Sequence, residues 1–150
     1  MTLTASEVEG LSLLVEQEIY VDAPLDVTFE ALLEQLGPGN EKPDGTPMPF
    51  KIEAWPGGRW FRELGNGNGH FWAHVQAIKR PSLLEFAGPL FMSHPVANNL
   101  QYRLSQEGDG TLIKFRHSGF GLVQEEHKRG VVAGWGYIHD KVRERAETSR

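Results

Sequence analysis

The order of hydrophobic patterns predicts the α+β class, with one antiparallel sheet and its helices gathered on one face. Three observations predict it. Period-two alternation opens the chain between Leu11 and Pro24. About six more strand-like runs follow one another from Phe50 to Phe120 with no helical pattern between them. The last stretch, Val123 to Glu147, then switches to helical spacing, with Val131, Trp135, Ile138 and Val142 at i, i+4, i+7 and i+11 along one stripe. A length of 150 residues fits one domain over the whole chain, large enough to bury a core.

Residues 1–10 are polar and are expected to fray. In the first strand Leu13, Val15, Gln17, Ile19 and Val21 form one face, and Leu14, Glu16, Glu18 and Tyr20 the other. Asp22-Ala23-Pro24 ends that strand and starts a short helix, with Asp22 as N-cap and Pro24 in the first turn. Phe29, Leu32, Leu33 and Leu36 lie inside it, and Gly37 closes it. Gly37 to Pro49 holds four prolines and three glycines, so it reads as a loop, and its length suggests a lid.

Parity assigns the faces of the later strands, because successive side chains alternate. Around the turn Gln106–Gly110, pairing Leu104 with Ile113 sets Tyr102 opposite Phe115 and Leu100 opposite His117. That register gathers Val96, Leu100, Tyr102, Leu104, Ile113, Phe115 and His117 on the face toward the long helix, near Trp135. Before Pro81, Phe71, Ala73, Val75 and Ala77 form the apolar face, with His70, Trp72, His74 and Gln76 opposite. In EAWPGGRWFRE (Glu53 to Glu63), a turn at Gly57-Gly58 pairs Trp55 with Trp60 and Glu53 with Arg62 on an outer face. Phe50, Ile52, Ala54 and Phe61 then point to the core.

Composition excludes several chemistries. A net charge of −5 gives no general support for binding nucleic-acid phosphates. The basic run Lys141 to Arg145 is interrupted by Glu144 and reads as a solvated helix face. Without cysteine there is no disulfide or thiolate chemistry, and a zinc site is weakened. His70 and His74 sit four residues apart on a strand, roughly 13 Å, too far to share a metal directly. No cofactor is expected: Gly65 to Gly69 reads as a turn, not as a phosphate loop. No two carboxylates fall on one inward face. No apolar run reaches the length of a membrane span, and the N-terminus lacks the order of a signal peptide, so a cytoplasmic location is expected.

Five local motifs occur in order: Ala23-Pro24 with Val27 and Phe29; Pro56-Gly57-Gly58; Pro81 with Leu84 and Phe86; His117-Ser118-Gly119-Phe120; and Gly134-Trp135. Together they resemble the START-related, birch-pollen-allergen-like (SRPBCC) superfamily, and within it the activators of heat-shock-protein-90 ATPase. The resemblance implies a helix-grip fold, a curved antiparallel sheet wrapped around the C-terminal helix with an elongated cavity between them. Leu100, Tyr102, Phe115, His117, Trp135, Ile138 and Phe86 would line that cavity. One departure is Ala77, where the family often carries an acidic residue two positions after the valine matched by Val75. That weakens the case for any activity leaning on such a carboxylate.

These readings lead to a non-enzymatic protein that binds a small apolar, aromatic or lipid-like ligand, gated by Gly37–Pro49. His117 and Tyr102 either anchor a ligand hydroxyl or carbonyl, or His117 is a buried residue satisfied by Tyr102 or a backbone carbonyl. His127 can reach one mouth of the cavity, whereas His139 lies off the stripe and is expected at the surface. The family implies a second reading, a chaperone-ATPase partner, and a homodimer is a further option. A third is a cyclase, dehydratase or hydrolase on polyketide-like compounds, with His117 as acid or base. A fourth is resistance to a toxic metabolite by sequestration or self-sacrifice.

Overall fold

A computed structural model describes residues 2, 4–91 and 94–149. Seven strands, β1 (Ser12–Val21), β2 (Lys51–Ile52), β3 (Arg59–Gly65), β4 (Asn68–Lys79), β5 (Leu83–Gly88), β6 (Val96–Glu107) and β7 (Gly110–Gly121), build one curved antiparallel sheet. From edge to edge the order is β1-β7-β6-β5-β4-β3-β2, so the six later strands run as a meander and the first strand joins the last. Helices α2 (Leu25–Leu36) and α3 (Glu125–Ser149) pack on the sheet's inner face. This is the helix-grip architecture.

A short helix, α1 (Ala5–Gly10), precedes β1 where fraying was expected. Its start is a reciprocal cap: Thr4 N–H donates to Glu7 Oε2 at 2.8 Å, and Glu7 N–H to Thr4 Oγ1 at 3.2 Å. The start of α2 also differs from expectation. Its N-cap is Pro24 and no side chain caps it. Asp22 instead donates its backbone N–H to Glu147 Oε2 at 2.8 Å, tying the helix entry to the end of α3. Thr28 Oγ1 donates to Pro24 O at 2.9 Å, and Thr111 Oγ1 to Ala23 O at 2.9 Å, which anchors the same corner to β7.

The β6–β7 hairpin has the expected register: Leu104 faces Ile113, Tyr102 faces Phe115 and Leu100 faces His117. The β2–β3 hairpin does not. Lys51 pairs with Phe61 and Ile52 with Trp60, which moves Trp60 to the core at 0 % exposure and leaves Trp55 outside at 58 %. The reason is a wider loop. Gly57, at φ +84°, donates to Val75 O, and Gly58 O accepts from Val75 N–H, both at 2.8 Å, so the Pro-Gly-Gly corner pairs with β4. Trp60 Nε1 donates to Leu36 O at 2.8 Å, answering a carbonyl left open at the end of α2. Glu53 meets Arg59, not Arg62, with Oε1 2.8 Å from Nε. That guanidinium, with the Arg59 backbone N–H, holds the Glu53 carboxyl at about 2.

Strand β4 carries irregularities between its pairings with Trp60 and Phe61, and again between Val75 and Ala77. An inserted residue flips the parity beyond it. Ala73 and Val75 stay inside as expected, but Phe71 turns outward at 41 % exposure. Trp72 takes its place, with its ring 5.4 Å from Phe50 and 4.9 Å from Phe91.

The inward line of α3 is Trp135, His139, Val142 and Ala146, rotated from the expected stripe. His139, expected at the surface, is 1 % exposed. The Gly37–Pro49 segment folds back on itself, with Asn40 Nδ2 donating to Met48 O at 2.9 Å and Met48 N–H to Asn40 O at 2.9 Å. It is fastened to the second half of α3, where Tyr137 OH donates to Lys42 O at 3.2 Å.

Candidate functional site

Three strands and α3 bring two buried histidines against one tryptophan. On β7, His117 alternates inward with Phe115 and Ile113. Its Nε2 lies 2.7 Å from Asn98 Oδ1, and its Nδ1 accepts from Trp135 Nε1 at 3.0 Å. The protonation state follows from donors and acceptors alone. An indole nitrogen only donates, so Nδ1 of His117 carries a lone pair. Asn98 Nδ2 donates to Pro89 O at 3.2 Å, which fixes Oδ1 as the group facing His117. His117 is therefore the neutral Nε2–H tautomer, with both nitrogens engaged. Burial pushes its pKa down to about 4.

Gly119 makes this arrangement possible. It pairs with Asn98 across the β6–β7 ladder, and a Cβ there would stand 2.6 Å from Asn98 Oδ1. The glycine of the His117–Phe120 motif is thus the space that Asn98 occupies.

The second histidine sits one turn along α3. His139 Nε2 lies 2.9 Å from the Tyr102 hydroxyl, and its Nδ1 lies 2.7 Å from Gln17 Oε1. With the tyrosine donating, His139 is the neutral Nδ1–H tautomer, and burial lowers its pKa to about 3. Burial likewise raises the Tyr102 phenol well above its ordinary value. Trp135 lies between the two networks, stacked on His139 at 5.7 Å and edge-on to His117 at 5.8 Å.

Above the His117–Trp135 pair opens a pocket of about 480 Å³. Leu90 and Phe91 form one wall, α3 forms the other, and Gln124, Glu126 and His127 stand among the lining residues. His127 reaches it as expected. On α3, Gly130 and Gly134 line the pocket, and a Cβ at either position would meet nothing within 4 Å.

The expected cavity residues divide in two. His117, Trp135 and Ile138 line the pocket. Leu100, Tyr102, Phe115 and Phe86 do not: they form the packed layer beneath, each at 2 % exposure or less. Phe86 lies 4.5 Å from Trp60, and Phe115 4.8 Å from both Tyr102 and Trp135, so aromatic rings fill the space an elongated cavity would need. Tyr102 bonds to His139, not to His117. No residue of Gly37–Pro49 lines the pocket. The flanking segments are instead Leu90–Phe91 and the approach to α3 at Gln124.

Sequence reasoning missed Asn98, Gln17's polar role, His139 and the two helix glycines. Asn98 was legible by parity, since it lies two residues from both Val96 and Leu100 on a face already assigned inward. Gln17 sat in the inward set of β1, where a lone polar residue signals a buried partner. Its partner is 122 residues away, and no local pattern connects them.

Chemically, the site offers an apolar recess with polar groups at its rim. His117 has neither a free lone pair nor a free proton for a substrate, which argues against acid–base work by that ring. Among the described residues no group of three or more metal-binding side chains converges. No helix in the described chain is long and apolar enough to cross a membrane.

Known structures share the fold. Protein MLL2253 of Mesorhizobium loti is 18 % identical, with a TM-score of 0.71, over 91 % of this chain and 98 % of that one. Ara h 8.0201 superposes at a TM-score of 0.67 with 13 % identity, covering 91 % and 99 %. The Aha1 dimer of Colwellia psychrerythraea gives 0.65 with 13 % identity over 90 % and 96 %. At these identities the likeness is one of fold. No curated protein matches the chain. Residues 22–147 match the family described as activator of Hsp90 ATPase homolog 1-like protein, and the chain belongs to that family.

Proposed function

We propose that the protein binds a small apolar or aromatic molecule in the pocket between the Leu90–Phe91 segment and the first half of α3. The observation that carries this reading is the pair Gly130 and Gly134. Glycine inside a helix costs about 1 kcal/mol relative to alanine. At these two positions nothing crowds the missing Cβ, so helix packing does not call for glycine. What the two residues do is keep the pocket open. His117 and Trp135 at its floor are held rigidly, which suits selective binding. The cytoplasmic location expected from the sequence belongs to the same proposal.

The test is a thermal-shift screen of aromatic and lipid-like compounds against the wild type and Gly134→Leu. A ligand at a hundred times its Kd stabilises the fold by about 2.7 kcal/mol. Leucine at position 134 points into open space and favours the helix, so the variant folds and loses binding. If no compound raises the Tm, or if Gly134→Leu binds as well as the wild type, the reading fails.

A second reading, stimulation of a chaperone ATPase, is favoured by the family's own description. It is tested by adding the purified protein to an Hsp90-type ATPase; an unchanged turnover rules it out.

A further inference from the structure

We propose that the pocket selects ligands whose apolar body ends in a positively charged amine, and that Glu126 reads that charge. This rests on the binding role proposed above. Among the described lining residues the fixed charge is one-sided: Glu126 is the single carboxylate, there is no lysine or arginine, and the other titratable side chains are the imidazoles of His117 and His127. His117 supplies no positive charge, because Trp135 and Asn98 hold it neutral. A fatty-acid carboxylate or a phosphate would meet no lysine or arginine among the described lining residues and would lie against Glu126. An ammonium group meets a partner.

Glu126 is free for that role. Its neighbour Glu125 is paired with Lys128 at 3.2 Å, whereas Glu126 makes no ion pair among the described residues. Lys128 and Arg129 lie close in sequence but do not line the pocket. Glu126, Gly130 and Gly134 recur at i, i+4 and i+8 along α3, so below the carboxylate that row carries no side chain, and Val131 and Trp135 flank it. Trp135 lies nine positions beyond Glu126, about 13.5 Å at the helical rise. The ligand is therefore elongated, with its apolar end over Trp135 and Ile138 and its amine at the rim. Phe91 and Trp135, with ring centroids 6.0 Å apart, give aromatic walls that tolerate a passing cation.

Three probes with one aromatic body separate charge from shape: naphthylmethylamine, naphthylmethanol and naphthoate. They are titrated calorimetrically into the intact protein at pH 8 and low salt. The amine is expected to bind about fivefold more tightly than the alcohol, the range of a part-exposed ion pair, and naphthoate most weakly. Glu126→Gln brings the amine to the level of the alcohol and leaves the alcohol unchanged; Gly134→Leu abolishes all three. Equal binding of the three probes, or an amine preference that survives Glu126→Gln, overturns charge selection but leaves the pocket's binding role standing. Amine binding that survives Gly134→Leu places it elsewhere and also overturns the inference. Absence of binding by all three overturns both readings.

Discussion

Trp135 donates its indole N–H to Nδ1 of His117 at 3.0 Å, and that single bond fixes the charge state of the pocket floor. A protonated imidazole would point a second donor at the indole, so the ring must lose Trp135 to accept a proton. His139, stacked on the ring of the same tryptophan, has both its nitrogens engaged by Gln17 and Tyr102.

Acid stability follows from these two rings. Burial lowers their folded-state values to about 4 and about 3, while the unfolded chain titrates near 6.5. Between those limits the unfolded state binds more protons, so the stability these rings provide is complete above about pH 6.5. It falls as pH drops through the window. Each proton contributes roughly 1.4 kcal/mol per pH unit, so two give a slope of up to roughly 3 kcal/mol per unit between pH 6 and 4. Urea midpoints measured across that range check it; a flat profile contradicts the buried neutral histidines.

Gly119→Ala tests the space that Asn98 fills. The new methyl collides with Oδ1, and losing the Asn98–His117 bond costs about 1–3 kcal/mol. In an Asn98→Ala background the same substitution should cost much less, because the colliding atom is gone. A double-mutant cycle measured by chemical denaturation reads the coupling.

Tyr102→Phe separates a structural from a ligand-contacting role. It leaves Nε2 of His139 buried without a donor, a loss of about 1–3 kcal/mol. Ligand affinity should be unchanged, since Tyr102 does not line the pocket. A large affinity loss without destabilisation reverses this assignment.

The two tryptophans of the Pro-Gly-Gly corner should behave in opposite ways. Trp60→Ala empties a fully buried site and leaves Leu36 O unanswered, for about 3–5 kcal/mol. Trp55→Ala, at the surface, should stay within about 0.5 kcal/mol. Comparable losses at both positions would restore the symmetric pairing of Trp55 with Trp60.

The same contrast shows where sequence reasoning succeeds. The β6–β7 register was legible because a tight Gly108-Asp109 turn fixes it and every apolar residue on the assigned face agrees. The β2–β3 register was not, because the corner bonds to β4, a partner the local sequence does not name. Irregularities in β4 reversed Phe71 and Trp72, and parity is blind to an inserted residue. On α3, spacing alone favoured Ile138 over His139. The buried histidine is admissible because Tyr102 and Gln17, distant in sequence, satisfy it. Of the expected lining, His117, Trp135 and Ile138 border the pocket, whereas aromatic rings close the space below Trp135.

Helix α3 is clamped at one end. No described side chain from Glu125 to Gly134 is buried, while Trp135, His139, Val142 and Ala146 are, and Arg145 Nε donates to Gln35 Oε1 at 3.2 Å. The first ten residues therefore form a cantilever whose root is Trp135, and a ligand beneath it would supply the missing half of its packing. Affinity and order are then one quantity. Amide exchange over 125–134 should be fast in the free protein and slow in proportion to the ligand's saturation, by RT ln(1 + L/Kd) at free ligand concentration L, while exchange beyond Trp135 stays unchanged.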